Sequence, residues 1–167
     1  MTNVLAIDPG NIDSAFAWID ADSLRPLWAE KLPNATVSNF LRANAAKIDH
    51  LVIEMVASYG MAVGAEVFET CVWIGRFQQL AAELGITVSR VYRLRVKLHH
   101  CHNAAAKDAN IIQALIDRFA PGVRNRGKGT KSEPGWFHGF KADMWQAYAL
   151  AVYAADAPDF VAVQEPA

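Results

Sequence analysis

The sequence predicts an α/β layered domain: a mixed five-stranded sheet, with a three-strand antiparallel meander followed by parallel strands, flanked by helices. Three observations carry this expectation. Three strand-like runs joined by short turn segments precede residue 33, which suits a meander. A helical crossover then delivers a fourth apolar run at 50–54, and a long helical stretch leads to a fifth at 86–91. The last periodic segment is rich in alanine, so its helix can approach a sheet closely.

The elements follow in order. In residues 3–8, Val4-Leu5-Ala6-Ile7 lead to Asp8, and Pro9-Gly10 turn the chain. A strand this apolar is buried on both faces, so its sheet is covered. Residues 14–19 form the second strand, and 27–32 a weaker third after Pro26. Thr36 or Ser38 caps a helix over 37–47 with Phe40, Leu41 and Ala45 facing in. The longest helix runs from Gly64 to about Leu84, where Gly85 ends it. Its apolar residues cover more than one stripe, so two faces are buried. One faces the sheet, and the other meets either a second copy or the rest of the same chain. Residues 94–99 alternate and read as extended or irregular. A helix over 104–119 carries Ile111, Ile112, Leu115, Ile116 and Phe119 on one side. Residues 121–135 hold six Gly and Pro among basic residues and read as a mobile loop. A final helix covers 142–155. Residues 1–156 are expected to form one domain and 157–167 a flexible C-terminal tail.

The chain has 167 residues, 53% of them apolar, enough for a sizeable core and too apolar for a disordered protein. No apolar stretch reaches the length of a membrane span, and no secretory pattern opens the chain. Two cysteines, Cys71 and Cys101, supply no disulfide framework, so the expected compartment is the cytoplasm. Net charge is −1, but its distribution is uneven. Residues 90–131 carry Arg90, Arg93, Arg95, Lys97, Lys107, Arg118, Arg124, Arg126, Lys128 and Lys131 against Asp108 and Asp117. Such a segment is either the footprint of a phosphate-backbone partner or a solvated surface with scattered ion pairs.

The chemistry centres on acids. Asp8 ends an apolar strand; alone, Asp-Pro-Gly is as well explained by a turn in which Asp accepts local backbone hydrogen bonds. A second apolar strand, His50-Leu51-Val52-Ile53-Glu54, also ends in a carboxylate. The final helix opens Lys141-Ala142-Asp143-Met144-Trp145-Gln146, placing Asp143 and Gln146 on one helix face. Asp8, Glu54 and Asp143 then converge from two strand ends and a helix start. Hard oxygen ligands with open positions suit Mg²⁺, with Mn²⁺ able to substitute. Metals held in this way serve phosphodiester cleavage. His99-His100-Cys101-His102 lacks the ligand spacing of zinc sites and reads as structural or DNA-facing. Tyr59-Gly60-Met61 reads as a connecting loop, with stacking on DNA the alternative.

With Ile7-Asp8-Pro9-Gly10-Asn11, Ser14-Ala15, Glu54-Met55, Ala57-Ser58-Tyr59-Gly60 and Ala106-Lys107-Asp108-Ala109-Asn110 in this order, the chain resembles the RuvC-type Holliday junction resolvases, and most nearly their short phage- or prophage-type members. The resemblance spans roughly residues 3–155. It implies an RNase H-like fold, a homodimer, and a Mg²⁺-dependent endonuclease that resolves four-way or branched DNA junctions in a bacterial host cytoplasm. It implies metal-binding and catalytic roles for Asp8, Glu54 and Asp143, and a place near the scissile phosphate for Lys97 and Lys107, with Lys107 catalytic. Arg124, Arg126, Lys128 and Lys131 are expected to contact DNA phosphates. One position departs from the family pattern: Gln146 stands where cellular members carry a fourth acid. Gln146 itself, Asp108 or Asp13 is left to compensate. The lost acid also motivates a second expectation, a junction-binding protein without nuclease activity, and the same fold could serve a nuclease acting on RNA–DNA hybrids. An actin-like phosphate loop (Asp8, Gly10, Ser14) would need a second similar domain, which 167 residues cannot supply.

Overall fold

The computed structural model describes residues 2–161. Five strands form one sheet: β1 (Asn3–Asp8), β2 (Asp13–Asp20), β3 (Pro26–Pro33), β4 (His50–Met55) and β5 (Thr87–Tyr92). Their order is β3-β2-β1-β4-β5. β1 pairs antiparallel with β2, and β2 with β3, while β1 and β5 each pair parallel with β4. This is the mixed sheet expected from the sequence. The helices are α1 (Asn34–Asn44), α2 (Ala65–Glu83), α3 (Arg93–Cys101), α4 (Asp108–Phe119), α5 (Met144–Asp156) and α6 (Pro158–Val161), with a 3₁₀ turn at Ala45–Lys47. Residues 162–167 of the expected tail lie outside the described residues. Among the described residues no helix is long and apolar enough to cross a membrane.

Successive strand residues point to opposite faces, and the sheet divides its apolar residues accordingly. Leu5, Ile7, Phe16, Leu51 and Ile53 face α1 and α2, meeting Val37, Leu41, Ile74 and Phe77. Val4, Ala6, Ala15, Ala17 and Val52 face the other way, onto α5 and α4. Each fully buried Leu, Ile or Phe contributes about 1.5–3 kcal/mol. The α5 side is built from small residues on both partners, Ala6, Ala15 and Ala17 against Ala147 and Ala151. Small side chains bring the helix axis close to the sheet, and α5 is buried from Met144 to Ala154.

Three local expectations change. Residues 94–99 are helical, within α3. Their period-2 alternation is misleading, because of Leu94, Val96 and Leu98 only Val96 is buried. The helix ends at His102 in the left-handed conformation, φ 51°. Neither Thr36 nor Ser38 caps α1, which begins directly at Asn34 after Pro33 with no side-chain cap. The segment expected as a mobile loop is instead anchored. Thr130 N–H donates to Glu133 O, and Gly135 N–H to Lys128 O, closing a small hairpin. Trp136 stacks on Phe119, with ring centroids 5.2 Å apart. Its Nε1 donates to Tyr148 Oη at 2.9 Å, and that hydroxyl donates to Leu24 O at 2.8 Å. Phe137 is fully buried and packs so tightly over Gly127 that a Cβ there would lie 2.8 Å from its ring. Glycine and proline dominate the sequence signal of this segment, but Trp136 and Phe137, directly after it, decide the packing.

Candidate active site

Strand register brings the first two acids together. Ile7 pairs with Ile53 across the parallel β1–β4 ladder, so Asp8 and Glu54 follow at the same end of adjacent strands. Ala6 and Val52 face α5; by the period of two, Asp8 and Glu54 face it as well. Asp143 immediately precedes α5 and stands over that end of the sheet. The residue before it, Ala142, has φ 45°, a left-handed conformation that strains a residue with a Cβ and sharpens the entry to the helix.

The turn after Asp8 is held by a closed set of hydrogen bonds. Gly10 N–H donates to Ser14 Oγ at 3.2 Å, Ser14 Oγ donates to Asn34 Oδ1 at 2.5 Å, and Asn34 Nδ2 donates to Gly10 O at 2.9 Å. Ser14 and Asn34 are both buried. A Cβ on Gly10 would lie 2.3 Å from Asp13 O, so only glycine fits.

Two cations enter the acidic cluster. Arg93, the first residue of α3, follows β5, the neighbour of β4. Its Nη1 donates to Glu54 Oε1 and Oε2 at 3.3 and 3.2 Å, and its Nη2 to Gln146 Oε1 at 2.9 Å. The same Nη2 contacts Asp108 Oδ1. On the other side Lys31, from β3, donates to Asp143 Oδ2 at 2.5 Å. No hydrogen bond reaches the Asp8 carboxylate among the described residues.

The electrostatics follow from this arrangement. Burial, then the charges of Glu54 and Asp143, push Asp8 up to about 8, against the opposing pull of Arg93 and Lys31. Burial also raises Glu54, with Arg93 holding it back. Lys31 is held above its ordinary value by the Asp143 hydrogen bond. Burial and mutual repulsion therefore disfavour ionisation of Asp8 and Glu54 by more than the two cations offset.

An open cleft of about 370 Å³ lies against this cluster, lined by Asp8, Asn11, Asp13, Lys31 and Asp143 among others. Its donors are hard oxygens, which fit Mg²⁺ or Mn²⁺. Among the described residues no three His, Cys, Asp or Glu side chains are placed so that together they could hold a metal ion. Mg²⁺ does not require three, since it keeps several waters and is commonly held by one or two carboxylates.

Asp8, Glu54 and Asp143 therefore share one site, with Asp108 and Gln146 joined to it through Arg93 and Asp13 on the cleft rim. Lys97 on α3 lies near enough to lower Glu54 by its charge. Lys107 is exposed at the start of α4, next to Asp108. Arg124, Arg126 and Lys131 are exposed in the anchored loop and Lys128 is half-buried there; among the described residues none pairs with the acids. The histidine run is structural in part: His99 bonds Asp156 at 2.7 Å, and half-buried His100, lowered to about 4 by desolvation, bonds the Ala149 carbonyl. Sequence reasoning placed no weight on Lys31 and counted Arg93 only as one cation of a basic stretch. The available signal for Arg93 was its place directly after β5, beside the strand that delivers Glu54.

No family model matches the chain, and no curated protein matches it. Solved structures do. The chain is similar to the structure of Thermus thermophilus RuvC, with a TM-score of 0.69 at 16% identity over 95% of this chain and 96% of that one. It is also similar to T. thermophilus RuvC in complex with a Holliday junction substrate, with a TM-score of 0.63 at 16% identity over 96% of each chain. The fold of the RuvC structures, RNase H-like as the sequence resemblance implied, is thus the fold of this chain.

Proposed function

We propose that this chain is a metal-dependent endonuclease of the RuvC type that cleaves four-way or otherwise branched DNA. The observation that carries the reading is the convergence of Asp8, Glu54 and Asp143 at one end of the sheet, in a fold shared with a protein solved on a junction. A bound divalent ion would supply Lewis-acid stabilisation and a nucleophilic water for phosphodiester hydrolysis. Asp8 and Asp143 would hold that ion, with Glu54, held by Arg93, as the third carboxylate of the site. Lys107 and Lys97 balance charge on the phosphate under attack. Arg124, Arg126, Lys128 and Lys131 contact backbone phosphates further out. The nuclease occupies residues 1–156 and works in the cytoplasm of a bacterial host, in the manner of a phage or prophage enzyme.

A homodimer would place two such sites on opposed strands of a junction. The outer face of α2 supports this: Phe68 is 61% and Val72 46% exposed, leaving an apolar stripe uncovered by the described residues.

The test is a synthetic four-way junction incubated with protein and Mg²⁺, beside linear duplex and RNA–DNA hybrid. Cleavage confined to the junction and lost in Asp8→Asn supports the reading; preferential hybrid cleavage points to an RNase H-like nuclease instead. Arg93 on Glu54 and Lys31 on Asp143 favour one second reading, a junction-binding protein whose carboxylates are already neutralised. Salt-sensitive junction binding with no cut in Mg²⁺ or Mn²⁺ would establish it.

A further inference from the structure

We propose that Arg93 stands in for a second metal ion, so that this site binds one divalent cation, on its Asp8–Asp143 side, and keeps a fixed guanidinium on its Glu54–Asp108–Gln146 side. The inference rests on the nuclease reading and concerns how its acidic site is neutralised.

Charge and geometry agree. Four carboxylates, Asp8, Glu54, Asp108 and Asp143, surround two cations in direct contact with them, Arg93 and Lys31. With the carboxyls ionised, the difference is the charge of one divalent ion. Asp13 lines the cleft on the Asp8 side, and Lys97 acts on Glu54 from the other side.

The two sides of the site differ in kind. Arg93 is a fixture, its side chain only 25% exposed and both terminal nitrogens committed, Nη1 to Glu54 and Nη2 to Gln146 and Asp108. A planar guanidinium with a rigid fork of donors suits four convergent acceptor oxygens from three side chains. Gln146 belongs to this arrangement. Its carbonyl oxygen accepts from Arg93 at 2.9 Å, a contact that needs an acceptor and no charge. An acid there would add a fifth carboxylate to the cluster; the amide keeps the hydrogen bond without it.

On the other side no donor among the described residues reaches the Asp8 carboxylate, and with Asp143 it lines the open cleft. Lys31 there is a single flexible ammonium, 40% exposed, that can swing aside. The oxygens free to take a cation are thus on the Asp8 side. Glu54 and Asp108 already have theirs.

The experiment counts metal ions on the full-length protein by isothermal titration with Mn²⁺, with no DNA present. The expected stoichiometry is one Mn²⁺ per chain for the natural sequence and none for Asp8→Asn. Arg93→Ala frees Glu54 and Asp108, and its stoichiometry rises towards two. Arg93→Gln, which keeps a planar donor and removes the charge, serves if the alanine variant fails to melt cooperatively, and carries the same expectation. Two Mn²⁺ on the natural sequence would overturn the inference while leaving the nuclease reading intact. One Mn²⁺ retained by a folded Arg93 variant would overturn it too, since the guanidinium would not be what excludes a second ion. No binding at all would overturn both.

Discussion

At the scale of residues, Asp8 concentrates the chemistry and the instability of this molecule. Its folded value near 8 lies above its ordinary 3.8. Between those values the folded chain holds a proton that the unfolded chain has released. The stabilisation is full below about 3.8 and is lost as pH rises through about 8. Thermal melts of the metal-free protein should therefore show stability falling as pH rises across this window, at up to about 1.4 kcal/mol per pH unit for one such group. Asp8→Asn should flatten that slope, and added Mg²⁺ should raise the melting temperature most at the alkaline end. A slope unchanged in Asp8→Asn would contradict the assignment. Ser14 makes a separate prediction. Its hydroxyl links Gly10 to Asn34, and Ser14→Ala leaves buried Asn34 Oδ1 without its donor. The expected loss is about 1–3 kcal/mol by denaturant unfolding, with slower junction cleavage because the Asp8 turn loosens.

At the scale of elements, α5 decides where Asp143 stands. The helix lies close to the sheet because Ala147 and Ala151 meet Ala6, Ala15 and Ala17. Ala147→Leu should lift it, lower stability by about 1–3 kcal/mol and reduce cleavage further than the stability loss explains. Denaturant unfolding beside cleavage rates under fully folded conditions separates the two effects. The elements also show what could be read from the sequence. β1 and β4 were legible because both are unbroken apolar runs ending in an acid, and α5 because of its alanines. α3 was not, since Leu94, Val96 and Leu98 imitate a strand while the helix buries only Val96. Arg93 and Lys31 were missed for another reason. Arg93 meets Glu54 and Gln146, 39 and 53 residues away in the chain, and Lys31 meets Asp143 from 112 away. Such convergence is a property of sheet order, which side-chain periodicity does not encode.

At the scale of the whole molecule, the charge and apolar patterns separate. Basic residues gather in the 90–131 segment, and the uncovered apolar stripe lies on α2. Phe68→Asp with Val72→Asp should convert a dimer to a monomer in light scattering while leaving the melting temperature of the chain nearly unchanged, because neither residue is part of the core. Replacing Arg124 and Arg126 by alanine should weaken junction binding across all sequences and reduce the salt slope by about one for each arginine replaced.

The most direct measurement is cleavage of a synthetic four-way junction in Mg²⁺ by the natural sequence and by Asp8→Asn, at equal junction occupancy. The acidic site described above predicts paired cuts near the branch point by the natural sequence, and a loss of several orders of magnitude in the variant. Identical products, or none, from both proteins would contradict it.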